Sequence, residues 1–235
     1  MTDLSFAALV VILASVTQGV IGFGAGLISM SLLAMIWPMA TATAVMNPVG
    51  VILSLSLAWS QWRSVNFRSI FPLLIGLPVG IFVGVLLLDI LPNHQLRALL
   101  GCTLIITVIH RLSGSAVRRV LPLSIGALVG FCSGVIGASL NTAGPPALIY
   151  ASLSGWKKDE FRANLAIFFF TSSFIAFLGL SYQGVVQLET LKVSGLLIPL
   201  VLIGSRLGLS LGHHLSQRYF SWITLLCLTV LALHF

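Results

Sequence analysis

The residues best placed to do chemistry in this chain are backbone groups at two glycine-rich interruptions. Gly22-Phe23-Gly24-Ala25-Gly26 lies deep in an apolar run, and a second interruption reads Gly137-Ala138-Ser139-Leu140-Asn141-Thr142-Ala143-Gly144-Pro145-Pro146. Glycine inside a helix costs about 1 kcal/mol relative to alanine, so both stretches predict a helix that stops and restarts. Asn141 or Thr142 can cap the restarted helix, and proline fits its first turn because no amide bond is lost there. Backbone released from a helix in lipid needs protein, water or ligand as its partner. A helix start offers free N–H groups and a partial positive charge, which suit an anion. Gly22, Gly24, Gly26, Asn141, Thr142 and Gly144 are therefore candidate substrate-binding residues for a small anion. The competing reading of such glycines is close helix packing, and it is preferred for Gly80, Gly84, Gly204 and Gly208.

Side chains add little charge to this picture. Asn47 and Asn164 follow the two breaks at similar distances and could donate to a bound oxyanion or simply bond a neighbouring helix. Arg206 completes the candidate set as a cation inside an apolar segment, which marks an ion path or a side chain reaching for the interface. His213 is only about two turns away, and this favours the second account. Asp3, Asp89, Asp159, Glu160 and Glu189 all fall at segment ends or in gaps. His94, His110, His213 and His214 also fall at segment ends, without metal-ligand spacing, so no metal and no cofactor is expected. Cys102, Cys132 and Cys227 lie in apolar segments and read as buried thiols.

Composition says what must position these groups. The chain of 235 residues is 58% hydrophobic and 7% charged, against about 25% charged in soluble domains. No ionisable acid or base occurs from Leu4 to Trp62, from Val120 to Trp156 is charge-free, and so is Ala163 to Leu188. A spanning helix needs roughly 20 apolar residues. The expected class is an all-α, polytopic transmembrane helix bundle whose partner is the lipid bilayer. The net charge of +7 does not point to nucleic acid, since the basic residues sit in short gaps where they set orientation. The N-terminus lacks a basic region and its apolar run is too long for a cleavable signal.

Charges, glycines and prolines divide the chain into ten apolar pieces: 4–21, 23–36, 40–60, 69–91, 97–110, 120–137, 144–154, 163–182, 192–211 and 219–235. The second and seventh are short and predict half-helices. Trp37, Trp59, Trp62, Trp156 and Trp222 fall at segment ends, as an interfacial aromatic belt requires. If each broken pair goes in and comes back, Arg63/Arg68, Arg111/Arg118/Arg119, Lys157/Lys158/Arg162 and Arg218 share one side. Arg97 and Lys192 then face the other. The positive-inside rule makes the first side cytoplasmic and puts both termini outside.

Five pieces per half imply two inverted repeats, 1–112 and 120–235, each with a glycine-broken helix pair. Gly19-Val20-Ile21-Gly22 recurs as Gly134-Val135-Ile136-Gly137, and Gly80/Gly84 match Gly204/Gly208. Inverted repeats with broken helices and a midplane site are a recurring plan of secondary transporters. No carboxylate is placed at midplane to couple protons or sodium. The membrane potential assists an outgoing anion by about 2.3 kcal/mol per charge per 100 mV, so export or facilitated diffusion is the economical direction.

At these residues the chain resembles the sulfite exporter TauE/SafE family of bacterial membrane permeases. The resemblance rests on Gly19–Gly26, on Gly144-Pro145-Pro146-Ala147-Leu148-Ile149-Tyr150 followed by Phe161-Arg162-Ala163, and on Gly204-Ser205-Arg206-Leu207-Gly208. It implies export of sulfite, organosulfonates or related sulfur-containing anions across the bacterial cytoplasmic membrane. An exporter or channel for another small anion or amino acid would share the layout. An intramembrane enzyme is disfavoured because Ser139 lacks both the glycine setting and an in-span histidine partner. Oligomeric state is not legible.

Overall fold

The computed structural model describes residues 2–112 and 121–214. They form nine helices: α1 (Thr2–Ile21), α2 (Ala25–Leu33), α3 (Met39–Gln61), α4 (Phe67–Ile90), α5 (Asn93–Leu112), α6 (Leu123–Leu140), α7 (Gly144–Leu153), α8 (Lys158–Tyr182) and α9 (Leu188–His214). No strand occurs among the described residues. The tenth piece, 219–235, lies outside them, as do Arg118, Arg119, Arg218, Trp222 and Cys227.

Six helices, α1, α3, α4, α6, α8 and α9, are long and apolar enough to cross a membrane. At 1.5 Å per residue, α2 and α7 span about 14 and 15 Å, half of a hydrocarbon core of ~30 Å. They are the half-helices expected from the sequence. Each restarts where the backbone leaves right-handed helical space. Gly22 (φ 94°) and Gly24 (φ 104°) separate α1 from α2, while Asn141 (φ 53°) closes α6. Only glycine, or less readily asparagine, takes that conformation without appreciable strain.

Small residues set the packing. The most extensive contacts run along α4 and α6 and along α1 and α9, followed by α3 with α8. A Cβ at Gly80 would overlap the Phe131 carbonyl, one at Gly84 the Val135 carbonyl, and one at Gly208 the Val16 carbonyl. One at Gly204 would overlap the Ser15 hydroxyl. These four glycines serve close helix approach, which is the main source of helix association in lipid.

The pairing has an internal pattern. The first helix of each half packs on the fourth helix of the other, and the third helices pack on each other. Three helix boundaries around the breaks recur at one interval: α1 ends at Ile21 and α6 at Leu140, α2 begins at Ala25 and α7 at Gly144, α3 begins at Met39 and α8 at Lys158. In each case the difference is 119, since 140 less 21, 144 less 25 and 158 less 39 agree. The Gly-Val-Ile-Gly match, at an interval of 115 (134 less 19), is one helical turn out of this register.

Inter-helix hydrogen bonds sort the basic gaps. The Asn66 N–H donates to Asn164 Oδ1 (2.8 Å) and Asn66 Nδ2 to Glu160 Oε1 (3.0 Å). The gap with Arg63 and Arg68 therefore lies at the same end as Lys157, Lys158 and Arg162. The Met39 N–H donates to Asn93 Oδ1 (2.8 Å), and Ser194 Oγ to the Val45 carbonyl (2.7 Å). Arg97 and Lys192, close to Asn93 and Ser194 in the chain, belong to that opposite end.

Candidate functional site

The two breaks meet. A Cβ at Gly26 would overlap the Asn141 carbonyl oxygen and sit 3.4 Å from the Asn141 carbonyl carbon and the Thr142 Cα. Beside this crossing is a cavity with about 60 Å³ of room for the centres of water-sized atoms. One water needs ~10–15 Å³ on that measure, so the space suits a handful of heavy atoms. Its walls come from both halves. Gly24 to Leu27 and Ser29 contribute from the first break, and Asn141 to Gly144 from the second. Gln18 and Ser15 enter from α1; Gly50, Leu53 and Ser54 from α3; Phe169, Ser172 and Ser173 from α8. The α3 and α8 residues stand in register, since 169 less 50, 172 less 53 and 173 less 54 are all 119.

The cavity carries no ionisable side chain, and its polarity comes from backbone ends and neutral groups. In α2 the first intrahelical bond of the restart runs from the Ile28 N–H to the Gly24 carbonyl (3.0 Å), so Ala25, Gly26 and Leu27 keep their amides uncommitted. At the start of α7, Pro145 and Pro146 have no N–H, leaving Gly144 as the amide of that first turn. The two helix starts are thus unequal donors. Thr142 offsets the deficit: it is 2% exposed and its Oγ1 has no hydrogen-bond partner among the described residues. A buried hydroxyl without a partner costs about 1–3 kcal/mol, so it calls for a ligand or water. Ser29 and Ser15 are satisfied by carbonyls of their own helices, Ala25 (2.7 Å) and Ile12 (3.0 Å).

Of the residues singled out from the sequence, Gly24, Gly26, Asn141, Thr142 and Gly144 line this one cavity. Gly22, Asn47, Asn164 and Arg206 do not line it. Gly22 packs against the Arg162 side chain. Asn164 holds the Asn66 amide at the start of α4. Asn47 is fully buried in α3 with both amide atoms unpartnered among the described residues. In the 119-residue register it faces Ala166 and not Asn164, so the two asparagines point from different helix faces. Arg206 is exposed on α9. Sequence reading missed Gln18, Ser54, Ser172 and Ser173, which the interval between the breaks could have flagged. It also took Arg162 for a topology marker, whereas Arg162 is 5% exposed and donates from Nη2 to the Gly19 carbonyl near the end of α1.

Half-helices crossing at a neutral, amide-rich cavity describe a transport site rather than a reaction centre. The family model for the sulfite exporter TauE/SafE matches residues 7–235. The chain belongs to the sulfite exporter TauE/SafE family. It is also 28% identical, over 202 residues, to a protein of Cupriavidus necator described as a probable sulfite/organosulfonate exporter TauE; this covers 81% of the chain and 77% of that relative. No solved structure matches. Membership makes the chain a multi-pass transporter of the bacterial cytoplasmic membrane and not an enzyme.

Proposed function

We propose that the chain exports a small sulfur-containing oxyanion, sulfite or an organosulfonate, held in the cavity between the two breaks. The observation that carries the reading is the meeting of both half-helix starts at one space lined by free amides and the orphaned Thr142 hydroxyl. The name of the Cupriavidus necator relative supports the substrate class. The Ala25, Gly26, Leu27 and Gly144 amides and the Thr142 hydroxyl would donate to the oxyanion. Helix dipoles supply the attraction without a charged side chain.

The exchanged helix pairing and the recurring interval of 119 residues support two inverted copies, 1–112 and 120–235, related about this cavity. The basic end would face the cytoplasm and both termini the periplasm. Export follows from energetics: the potential assists an outgoing anion, and no carboxylate lines the cavity to couple a cation. The test uses proteoliposomes loaded with sulfite and given a potassium diffusion potential, with pH and sodium equal on both sides. Efflux should quicken when the loaded interior is negative and slow when it is positive. Efflux indifferent to voltage but driven by an imposed pH gradient would refute uncoupled export.

A further inference from the structure

Arg162 is a cation that the proposed site does not use, and its surroundings are unusual. It lies on the first turns of α8, 5% exposed, and its Nη2 donates to the Gly19 carbonyl. Its Nε has no partner among the described residues. All five acids of the chain lie in described segments. Asp159, one turn earlier, is the acid whose charge it feels, yet no carboxylate comes within ion-pair distance of it among the described residues. A buried guanidinium with five donors and no counter-ion is expensive. In a membrane segment, such a group marks an ion path.

Its position fits a path into the cavity. The Arg162 Cγ lies 3.0 Å from where a Cβ of Gly22 would be, and Nη2 lies 3.5 Å from that of Gly212. The guanidinium thus stands at the end of α1, beside α9 and against the first break. Gln18, next in the chain to the carbonyl it holds, lines the cavity, as does Gly24 beyond the break. Gly22 (φ 94°) leaves the room this side chain occupies. The same end of the molecule carries Arg63, Arg68, Lys157 and Lys158. At the matching register of the first half stands Thr43, a neutral residue (162 less 119). The two register positions therefore differ: the one beside the first break holds a buried cation, and its counterpart a neutral hydroxyl.

We propose that Arg162 is the first contact of the anion on its way to the cavity, a latch that exchanges the Gly19 carbonyl for the oxyanion. Bound to the carbonyl, it fastens α1 to α8 beside the break. Bound to the anion, it releases the end of α1 and delivers the ligand past Gly22. This rests on the reading of the cavity as the oxyanion site.

The experiment measures initial rates of sulfite efflux against internal sulfite concentration for wild type, Arg162→Gln, Arg162→Lys and Gly24→Leu. Folded, inserted protein is quantified for each. Arg162→Gln should raise KM about tenfold, the scale of one lost charge-assisted hydrogen bond. Arg162→Lys should fall between it and wild type, because it keeps the charge and loses the fork. A residue that only fastened α1 would lower the amount of folded protein or Vmax and leave KM alone, and that result overturns the latch. Should Arg162→Gln fail to insert, Arg162→Lys decides: an unchanged KM refutes the proposal. Gly24→Leu separates the two readings. If it abolishes transport while Arg162→Gln keeps a wild-type KM, the latch alone is wrong. If Gly24→Leu transports normally, the cavity is not the site and both fall.

Discussion

Adding one methyl group at Gly26 tests the crossing of the breaks more directly than a bulky side chain at Gly24. Gly26 lies within α2 at an ordinary helical φ, so alanine introduces no backbone strain there. At Gly24 any side chain would be strained by φ 104°, although the nearest atom to its Cβ, Thr17 Cγ2, is 3.5 Å away. The alanine methyl at position 26 would overlap the Asn141 carbonyl oxygen. Carbon and carbonyl oxygen approach to ~3.3 Å at closest, so the two breaks must separate by about 1 Å. Both partners are backbone, and no rotamer change can relieve the clash. Overpacking of this kind costs about 1–3 kcal/mol, which a helix bundle survives. A cavity sized for a few heavy atoms, with amides set for one oxyanion, does not keep its geometry through such a shift. Gly26→Ala should therefore insert normally, lose a few degrees of thermal stability in detergent, and lose transport of sulfite by about tenfold or more. Gly195→Ala, on α9 with nothing within 4 Å of the added methyl, is the matched control and should transport like wild type. Wild-type efflux from Gly26→Ala would refute the claim that the crossing sets the site.

Three further outcomes are expected. Thr142→Val should raise KM for sulfite about three- to tenfold with folded protein unchanged or slightly more stable, because it removes a buried hydroxyl without a partner; kinetics and thermal melts on one preparation check both signs. Asn164→Ala should cost about 1–3 kcal/mol of stability by orphaning the Asn66 amide while KM stays at the wild-type value, the reverse of the Thr142→Val result. A reporter fused after Phe235 that works only in the periplasm should be active, and activity of a cytoplasm-only reporter at that site would overturn the proposed orientation.

Much of the fold was legible because lipid removes alternatives. Charge-free stretches of that length can only be spanning or broken helices, and nine of the ten pieces read from charge, glycine and proline coincide with helices to within a few residues. The tenth lies beyond the described part. The breaks were legible for the same reason, since glycine at positions 22, 24 and 26 has no purpose in a straight apolar helix unless it packs or turns. What failed was register. Gly-Val-Ile-Gly is a packing motif repeated at 115 residues, whereas the three helix boundaries around the breaks and the α3 and α8 cavity residues repeat at 119, one turn away. Packing glycines recur wherever a helix face needs a close neighbour, and a face returns every turn, so they fix a face but not a register. Pairing Asn47 with Asn164 inherited that slip. The side chains it joined turned out to lie on different faces, one holding the start of α4 and the other buried without a partner.

The asymmetry between the halves bears on how such a carrier would release its load. On the proposed reading the cavity attracts an anion by dipoles and neutral donors alone, three amides from α2 and one amide with a hydroxyl from the start of α7. Each contact is worth about 1 kcal/mol against water, so binding stays weak and the anion can leave. A guanidinium in the cavity would deepen the well and slow that departure. Arg162 stands instead beyond the break, at the basic end, where a cation raises the local concentration of anions without holding them at the midpoint. The opposite end has Thr43 in its place. An anion that has passed Gly22 leaves the Arg162 guanidinium behind, and the potential that assists it along the whole path favours the outward exit. Placing an arginine at that exit, as Thr43→Arg, should make release the slow step and lower Vmax with KM reduced. An unchanged Vmax in a folded Thr43→Arg protein would mean that the exit does not pass along α3.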